Sequence, residues 1–513
     1  MQVPYYDVPA LAPVVETTRG SVQGRWQNAS SAAYLGIPFA APPVGDLRFA
    51  APERFPVWSG VRPALEYGPT AQRRPFGPVV TIPEPSICGD STLNVNVFTP
   101  APRDRRAHLP VLVWIHGGGY FAGSPSSPWY NGRSFNADGI VTVSISYRLG
   151  FDGFGWMRDA PLNRGLLDQI AALTWVNENI EEFGGDPSKV TIAGQSAGGG
   201  SALALLGSRK ASGLFRGAIS ESGAFGGPDA WQAEEVGRSL ASVIGVEPTA
   251  EAWRGVDQNV ILDHERAVNV IADAPASLSS VDDMVKAIND GFIGSVNLAY
   301  APTIDGDVIT QSEYDAYASG QGGEVSLLMG STHNEFAFPM DTDTTLEEDE
   351  DQLRAAGISD RAAAQFIEEI HRIGPDRIAG QLNTIFMFRV GIAKAASARN
   401  AAGAGDRTWL YDFGQSSAVS NCSVHCDDIP YFFDLLDAPK VSEVLGDHPS
   451  EPLAKKMHGA WVEFISHGGL GAHPTSEFPC GALRFLGGAR FDPDAYALEA
   501  ELISMGKHEA PTV

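Results

Sequence analysis

The chain has 513 residues, of which 43% are hydrophobic and 19% are charged, a composition typical of a globular protein with a large apolar core. Its 62 acidic residues outnumber its 36 basic residues and give a formal net charge of −26. A surface this negative repels phosphate backbones and anionic lipids, so we expect neither nucleic acid nor a membrane as a partner.

Cysteine content and the start of the chain indicate the compartment. The four cysteines, Cys88, Cys422, Cys426 and Cys480, are too few for a disulfide framework in a chain of this length. Cys422 and Cys426 flank His425, but no second pair of ligands has the usual zinc spacing, so we expect ordinary thiols and no metal. No apolar stretch approaches the roughly 20 residues of a membrane span. The first residues lack a basic region followed by an apolar core, so we expect a cytoplasmic protein.

Strands and helices are predicted to alternate along most of the chain. The first 100 residues place prolines between short strand-like pieces, which is typical of the edge of a sheet. An apolar run at 111–115 and a β-branched run at 140–147 predict strands. Apolar residues recur every three or four positions over 163–183 and predict a helix with one buried face, which the strand 190–193 follows. This alternation predicts an α/β fold with a mostly parallel sheet that helices cover on both faces.

The second half of the chain continues this pattern with two helical interruptions. Segments 226–300 and 339–399 read as helical and acidic, and we interpret them as insertions that shape the mouth of a pocket. No flexible linker isolates them, so we expect a single domain over 1–513. Further strands are predicted at 218–220, 326–329, 409–411 and 483–485.

Residues 194–198 read Gly-Gln-Ser-Ala-Gly, between the apolar run 190–193 and the small residues of 199–206. A strand that enters a Gly-x-Ser-x-Gly turn and then a helix is the nucleophile elbow of an α/β-hydrolase. The tight turn lifts the Ser196 hydroxyl clear of the sheet, and the glycines let the backbone pass without a side-chain clash. Because the chain has 56 glycines, this pattern alone is weak, and the other parts of an acyl-transfer site must accompany it.

A serine nucleophile needs a base, and His425 is the best candidate among 11 histidines. It follows a predicted strand and precedes the aromatic run 431–433, where a loop at the edge of the sheet can carry it over the serine. His458 and His467 lie on or just past a helix-like stretch. His333 lies too close to the proposed acid to serve as the base as well.

The acid that orients the base is predicted to be Glu335. It lies in a loop after the predicted strand 326–329, where α/β-hydrolases present their acid, and it gives the chain order Ser, Glu, His. The main rival is Asp305, whose neighbours suggest a turn-forming aspartate.

The oxyanion of an acyl-transfer transition state needs backbone N–H donors. Residues 116–119 read His-Gly-Gly-Gly directly after the strand 111–115, and consecutive glycines let the chain turn its amides inward. We predict Gly118, Gly119 and Ala197 as the donors. A phosphate-binding loop is the alternative, but the stretch lacks the Lys-Ser/Thr pair of a P-loop and the spacing of a dinucleotide-binding motif.

Two further serines resemble parts of this site. Ser416 lies in the stretch Gly-Gln-Ser-Ser-Ala, which has no closing glycine and no small-residue helix behind it, so we interpret it as a false match. Ser222 follows a predicted strand and is a candidate for hydrogen-bonding support near the triad.

Motifs along nearly the whole chain resemble those of the type-B carboxylesterase family, which includes bacterial para-nitrobenzyl esterases and the cholinesterases. Two departures accompany the resemblance: Gln195 stands where the family commonly has Glu, which removes one charge beside the nucleophile, and Thr92 stands where the family has a cysteine. The usual N-terminal disulfide is therefore not expected, although Cys88 is near. The matching segments are 34–49, 96–100, 163–169, 183–187, 425–431 and 461–464.

Together these residues predict a serine carboxylesterase that works through an acyl-enzyme intermediate. Ser196 attacks the ester, His425 takes its proton, and Glu335 stabilises the imidazolium. No metal or cofactor is needed. We expect a small-molecule ester as the substrate and a monomer or homodimer as the assembly.

Two alternatives stay open at this point. One is a hydrolase of carbamates, amides or aromatic diesters that uses the same triad in a pocket with aromatic walls. The other is a non-catalytic binding or adhesion protein on the same scaffold, against which the presence of Ser196 argues. Candidate wall residues for the first are Tyr120, Phe121, Phe151, Phe154 and Phe225, although packing in the core is the favoured role for each of them.

Overall fold

In the part of the chain that the structure describes, thirteen strands form one sheet. The computed structural model describes residues 11–77, 81–267, 278–292, 298–340, 342 and 344–505. The strands are β1 (Leu11–Thr17), β2 (Gly20–Asn28), β3 (Ser31–Pro38), β4 (Val61–Pro63), β5 (Asn94–Thr99), β6 (Leu109–Ile115), β7 (Val141–Ile145), β8 (Gly185–Gln195), β9 (Gly217–Glu221), β10 (Ser326–Thr332), β11 (Thr408–Phe413), β12 (Ala482–Phe485) and β13 (Ala489–Asp492).

The centre of the sheet is parallel and its flanks are antiparallel. The strands lie in the order β1-β2-β3-β5-β7-β6-β8-β9-β10-β11-β12-β13, and β4 pairs with β2. From β7 to β12 in this order every neighbour runs parallel. The strands from β1 to β7, and the last pair β12 and β13, run antiparallel. Each strand predicted from residue 111 onward is present.

Helices cover both faces of the sheet, as the continuous apolar runs of its central strands predict. Val111, Val113 and Ile115 of β6 pack into the core that includes helices α3 (Arg164–Asn179) and α4 (Ala197–Leu206). Leu112 and Trp114 pack into the core that includes helix α16 (Glu451–His467). Side chains of a strand alternate between faces, so both faces of β6 are buried. No helix within the described ranges is long and apolar enough to cross a bilayer.

The α-helices of the described chain are α1 (Arg133–Ala137), α2 (Gly150–Phe154), α3 (Arg164–Asn179), α4 (Ala197–Leu206), α5 (Ala230–Ile244), α6 (Ala250–Arg254), α7 (Gln258–His264), α8 (Val281–Asn289), α9 (Glu313–Ala318), α10 (Leu346–Ala355), α11 (Asp360–Ile373), α12 (Ile378–Thr384), α13 (Val390–Ala401), α14 (Ile429–Phe432), α15 (Val441–Leu445), α16 (Glu451–His467) and α17 (Ala497–Met505). A π-helical turn, Ile385–Arg389, joins α12 to α13. Helices α5–α8 lie within the predicted insertion 226–300, and α10–α12 and most of α13 within 339–399.

The second group of these helices has its own apolar core. Leu353 of α10, Phe366 of α11 and Leu382 of α12 pack together with Ile288 of α8 and Leu502 of α17. This cluster places the π-helical turn beside the carboxyl ends of β10 and β11, where the loops of a parallel sheet carry functional groups.

A buried ion-pair network ties this helical cluster to the sheet. Arg389 is 2% exposed, and its Nη1 donates to Asp412 Oδ1 on β11 at 2.7 Å. Its Nε donates to Glu499 on α17, and its Nη2 donates to the carbonyl oxygen of Ala495 at 2.7 Å. One guanidinium therefore joins the π-helical turn, the sheet and the last helix.

Replacing this guanidinium in Arg389→Met should lower the free energy of unfolding by about 3–5 kcal/mol, because Glu499 stays buried and loses its cation, and Asp412 loses one of the two guanidinium groups that pair with it. Urea unfolding followed by circular dichroism measures the change. The control Arg354→Met removes a half-exposed partner of Glu350 within α10 and should cost less than about 0.5 kcal/mol. Equal effects of the two variants would contradict a structural role for the buried network.

Candidate active site

Ser196 lies at the sharp turn between β8 and α4. Its backbone has φ 57° and ψ −125°, a conformation that costs a non-glycine residue about 1–3 kcal/mol. Two hydrogen bonds hold it there: Ser196 N donates to the Glu221 carbonyl oxygen on β9 at 2.8 Å, and Gly200 N donates to Ser196 O at 2.8 Å. The strand, the turn and the helix therefore occur in the order that the motif predicts.

The two glycines that flank the serine are required by close packing. A Cβ on Gly198 would lie 2.0 Å from the Ile115 carbonyl oxygen at the end of β6. A Cβ on Gly194 would lie 2.4 Å from the carbonyl carbon of Gly198. Neither distance leaves room for a side chain, so the turn can form against β6 only with glycine at both positions.

The predicted oxyanion loop leaves the end of β6 directly beside the serine. A Cβ on Gly117 would lie 3.1 Å from Ser196 Cβ, and Gly118 and Gly119 have φ of 120° and 60°. Among the described residues, none accepts a hydrogen bond from the N–H of Gly118 or Gly119. Ala197 opens α4, so its N–H is one of the first-turn amides without an intrahelical partner.

Hydrogen bonds from neighbouring groups hold the glycine loop in place. Burial lowers the pKa of His116 to about 4, so its ring is neutral near pH 7, and Nδ1 lies 2.8 Å from the carbonyl oxygen of Gly117. The Tyr147 hydroxyl donates to the His116 carbonyl oxygen at 2.8 Å. At the far end of the loop, Gly123 N donates to Glu84 Oε2 at 2.8 Å. The loop is therefore held in place before any substrate arrives.

The structure brings His425 and Glu335 into direct contact, although 90 positions separate them. His425 Nδ1 forms a hydrogen bond with Glu335 Oε2, and His425 N donates to the Glu335 carbonyl oxygen at 3.0 Å. The second carboxylate oxygen of Glu335 accepts from Thr332 N at 2.9 Å. Glu335 is fully buried, so both of its oxygens depend on these donors.

His425, Ser196 and the glycine loop line one cavity of about 260 Å³. Among the described residues, the hydrogen-bond partner of His425 Nε2 is Gln195, whose side-chain Nε2 lies 3.2 Å away. The Ser196 hydroxyl faces the same cavity without a hydrogen bond to the imidazole in this state. Catalytic hydrogen bonds are commonly loose without substrate, so this geometry is compatible with a serine–histidine pair.

Opposing effects set the pKa of His425. Burial lowers it, but Cys426 and the Glu335 carboxylate outweigh the burial and raise the pKa well above its usual value of about 6.5. Burial also raises the pKa of Cys426, so its thiol is neutral near pH 7. Glu335 is therefore the charge that favours the imidazolium, as the acid of a triad does.

Comparison with known proteins shows the family of the chain. The model of the carboxylesterase family matches residues 11–480. Para-nitrobenzyl esterase of Bacillus subtilis (strain 168) is 31% identical over 483 aligned residues, which cover 90% of this chain and 91% of that protein. Liver carboxylesterase 1F of Rattus norvegicus is 30% identical, with 92% of this chain and 89% of that protein covered. The chain belongs to the carboxylesterase family.

Solved structures agree with this membership. A PNB esterase structure has a TM-score of 0.74 and 28% identity, covering 96% of this chain and 99% of the other. A Geobacillus stearothermophilus carboxylesterase has a TM-score of 0.76 and 28% identity, covering 95% and 99%. They confirm the predicted α/β-hydrolase fold, and with the family match they identify a carboxylic ester hydrolase.

Three buried acids behind the histidine of this carboxylesterase had no role in the sequence-based prediction. Burial raises the pKa of Asp428 to about 7, with the nearby Glu335 as the next cause. Burial and then Asp428 raise the pKa of Glu221, and burial raises that of Asp427. Each has one carboxyl oxygen without a partner among the described residues, unlike Glu335. Two consecutive aspartates, two and three residues after His425, were the signal that could have found this cluster.

The rival candidates have structural roles. His333 Nδ1 lies 2.9 Å from Asp412 Oδ1, and His458 Nε2 lies 3.1 Å from Asp138 Oδ2. Asp305 Oδ1 accepts hydrogen bonds from three backbone N–H groups of the turn that follows it. None of the three lines the cavity that contains Ser196.

The candidate aromatic wall residues do not line the cavity. Four of the five are buried in the core, as the favoured interpretation has it, and Phe121 stacks against Phe76 at 5.3 Å between ring centroids. The walls come mainly from the irregular segment that precedes β5 and from the loop after β10. The apolar wall residues are Phe76, Ile82, Pro83, Tyr130, Phe336 and Phe338.

The pairing of His425 with Glu335 predicts how the imidazole titrates. In the wild-type protein the pKa of His425 should lie above about 6.5, and Glu335→Gln should lower it, because the amide no longer stabilises the imidazolium. Nitrogen-15 NMR of histidine-labelled protein measures both values, with the resonance assigned by its loss in His425→Gln. An unchanged pKa in Glu335→Gln would contradict the contact.

Proposed function

We propose that Ser196, His425 and Glu335 form the catalytic triad with which this chain hydrolyses carboxylic esters. The observation that carries the proposal is the buried contact between Glu335 and His425 at the wall of the cavity into which Ser196 projects. The order of the three residues along the chain is the one that the α/β-hydrolase fold uses.

The first step is the attack of the Ser196 hydroxyl on the ester carbonyl carbon. Negative charge then develops on the carbonyl oxygen. The N–H groups of Gly118, Gly119 and Ala197 are proposed to donate to that oxygen. Because the loop is already pinned, these donors need little reorganisation at the moment of reaction, which is the main source of their effect.

The proton moves through His425. Its Nε2 takes the proton of the Ser196 hydroxyl during attack, and Glu335 stabilises the imidazolium through Nδ1. The imidazolium then protonates the leaving alcohol, which leaves an acyl-enzyme. Water attacks the acyl-enzyme with His425 again as base, and the carboxylic acid departs as Ser196 regains its proton.

The cavity favours small esters with uncharged, apolar or aromatic groups. Its walls are mostly apolar, and Glu84, the one carboxylate among the described lining residues, already accepts from Arg73 Nε, Phe76 N and Gly123 N. An aryl ester, an aryl carbamate and an anilide of the same acyl size, compared by kcat/KM, separate ester hydrolysis from the carbamate and amide alternatives. A single domain, a monomer or homodimer and a cytoplasmic location stay as predictions alongside this function.

Ser196→Ala should lower kcat for an aryl ester by about a thousandfold or more, because the nucleophile is removed. The same variant should lose covalent labelling by a fluorophosphonate while it keeps its unfolding midpoint. Ser416→Ala is the matched control, since Ser416 contacts Arg372 outside the cavity, and it should keep wild-type activity. Full activity in Ser196→Ala would exclude the proposed nucleophile.

The reaction needs a neutral imidazole, so kcat/KM should rise with pH through the pKa of free-enzyme His425. Because that pKa is raised, the midpoint of the acidic limb should lie above about 6.5. Rates measured between pH 5 and pH 9 at constant ionic strength give the midpoint. A limb centred well below 6.5 would argue against His425 as the base.

A further inference from the structure

Gln195 is a buried polar side chain inside the cavity for which the proposed steps have no use. It is the last residue of β8, is 1% exposed, and directly precedes Ser196. Its Oε1 points toward Gly117, where a Cβ would lie 3.2 Å away, and its Nε2 lies 3.2 Å from His425 Nε2. The amide therefore bridges the space between the glycine loop and the base.

Proton positions on the imidazole decide what this contact can be. Nδ1 faces the Glu335 carboxylate, which only accepts, so Nδ1 carries a proton. In the neutral ring Nε2 then has only a lone pair, which accepts one strong hydrogen bond. The Gln195 amide nitrogen can donate to it, and so can the Ser196 hydroxyl. The two groups therefore compete for one lone pair, and in this structure the amide nitrogen is the one that lies within hydrogen-bond distance of Nε2.

We propose that Gln195 is a positioning residue that donates to His425 Nε2 whenever the imidazole is neutral, favours that neutral form and gives way to Ser196 when an ester binds. This inference rests on the proposed function for its catalytic consequence. A carboxylate at the same place would do the opposite, since a negative charge beside Nε2 stabilises the imidazolium.

The other groups around the His425 imidazole differ from Gln195 in their chemistry. Glu335 approaches from the loop after β10, and Cys426, Asp427 and Asp428 belong to the loop of His425 itself. Phe336 and Phe388 pack against the imidazole with ring centroids at 5.3 and 5.4 Å and tilts of 52° and 39°, and they carry no titratable group. Among these described neighbours, all titratable ones are acids, whereas Gln195 contributes an uncharged donor.

Histidine titration in two variants tests the proposal. Gln195→Met keeps the length of the side chain and removes the donor, so the pKa of His425 should rise by about 0.5–1 unit. Gln195→Glu adds a charge and should raise it further, by more than about 1 unit. Nitrogen-15 NMR measures the pKa without any substrate. Gln169→Met is the matched control, because Gln169 is also fully buried but bonds to Ser201 on α4, and it should leave the pKa unchanged.

Kinetics supply the second readout. In both Gln195 variants the acidic limb of kcat/KM should move to higher pH by the same amount as the NMR titration. In Gln195→Met the kcat at alkaline pH should stay within about threefold of wild type, since the triad itself is intact. If Gln195 had only a structural role, its replacement would lower kcat or the unfolding midpoint and would not shift the acidic limb of kcat/KM.

Two results would overturn the inference. An unchanged pKa in Gln195→Met would show that the amide does not donate to the ring. A lowered pKa would show that its oxygen faces a protonated Nε2 instead. The NMR titration needs no turnover, so it can be interpreted even if the wild-type protein fails to hydrolyse esters. That failure would refute the proposed function but not the contact between Gln195 and His425.

Discussion

The active site depends on one strained residue whose conformation its neighbours enforce. Ser196 holds a positive φ because β6, β8 and β9 converge on the turn, and the carbonyl oxygen of Glu221 fixes its N–H. Gly194 and Gly198 permit the approach of Ile115, so the end of β6 lies against the elbow. Since the glycine loop begins at the end of the same strand, the position of the proposed oxyanion donors follows from the packing that strains the nucleophile.

The buried carboxyl groups around His425 differ in whether both of their oxygens have hydrogen-bond donors. Glu335 has a hydrogen-bond donor for each oxygen, which suits an ionised carboxylate. Glu221, Asp427 and Asp428 each leave one oxygen without a donor among the described residues, and burial raises their pKa values. The histidine therefore faces one strong negative charge in a region with several acids. Further ionised carboxylates there would stabilise the imidazolium so strongly that His425 could not accept the proton of Ser196.

Local patterns predicted the parts of the site that local chemistry determines. The elbow at Ser196 and the loop at Gly118 depend on a few consecutive residues, so their motifs were readable in the sequence. Glu335 and His425 were found from their positions after strands, and the structure brings them together. The contact of Gln195 with the imidazole and the wall residue Phe76 depend on how irregular segments pack in three dimensions. No periodicity marks such segments, which is why the sequence did not predict the wall residues.

Phe336 belongs to the cavity wall and also packs against the His425 ring. It directly follows Glu335, so a change that enlarges the inner wall also disturbs the orientation of the carboxylate. The outer aromatics Phe76 and Phe338 are 54% and 49% exposed, and neither adjoins Glu335 in the sequence. As this protein evolves to accept new acyl or alcohol groups, we therefore expect Phe76 and Phe338 to be replaced freely. Phe336 is expected to stay nearly invariant.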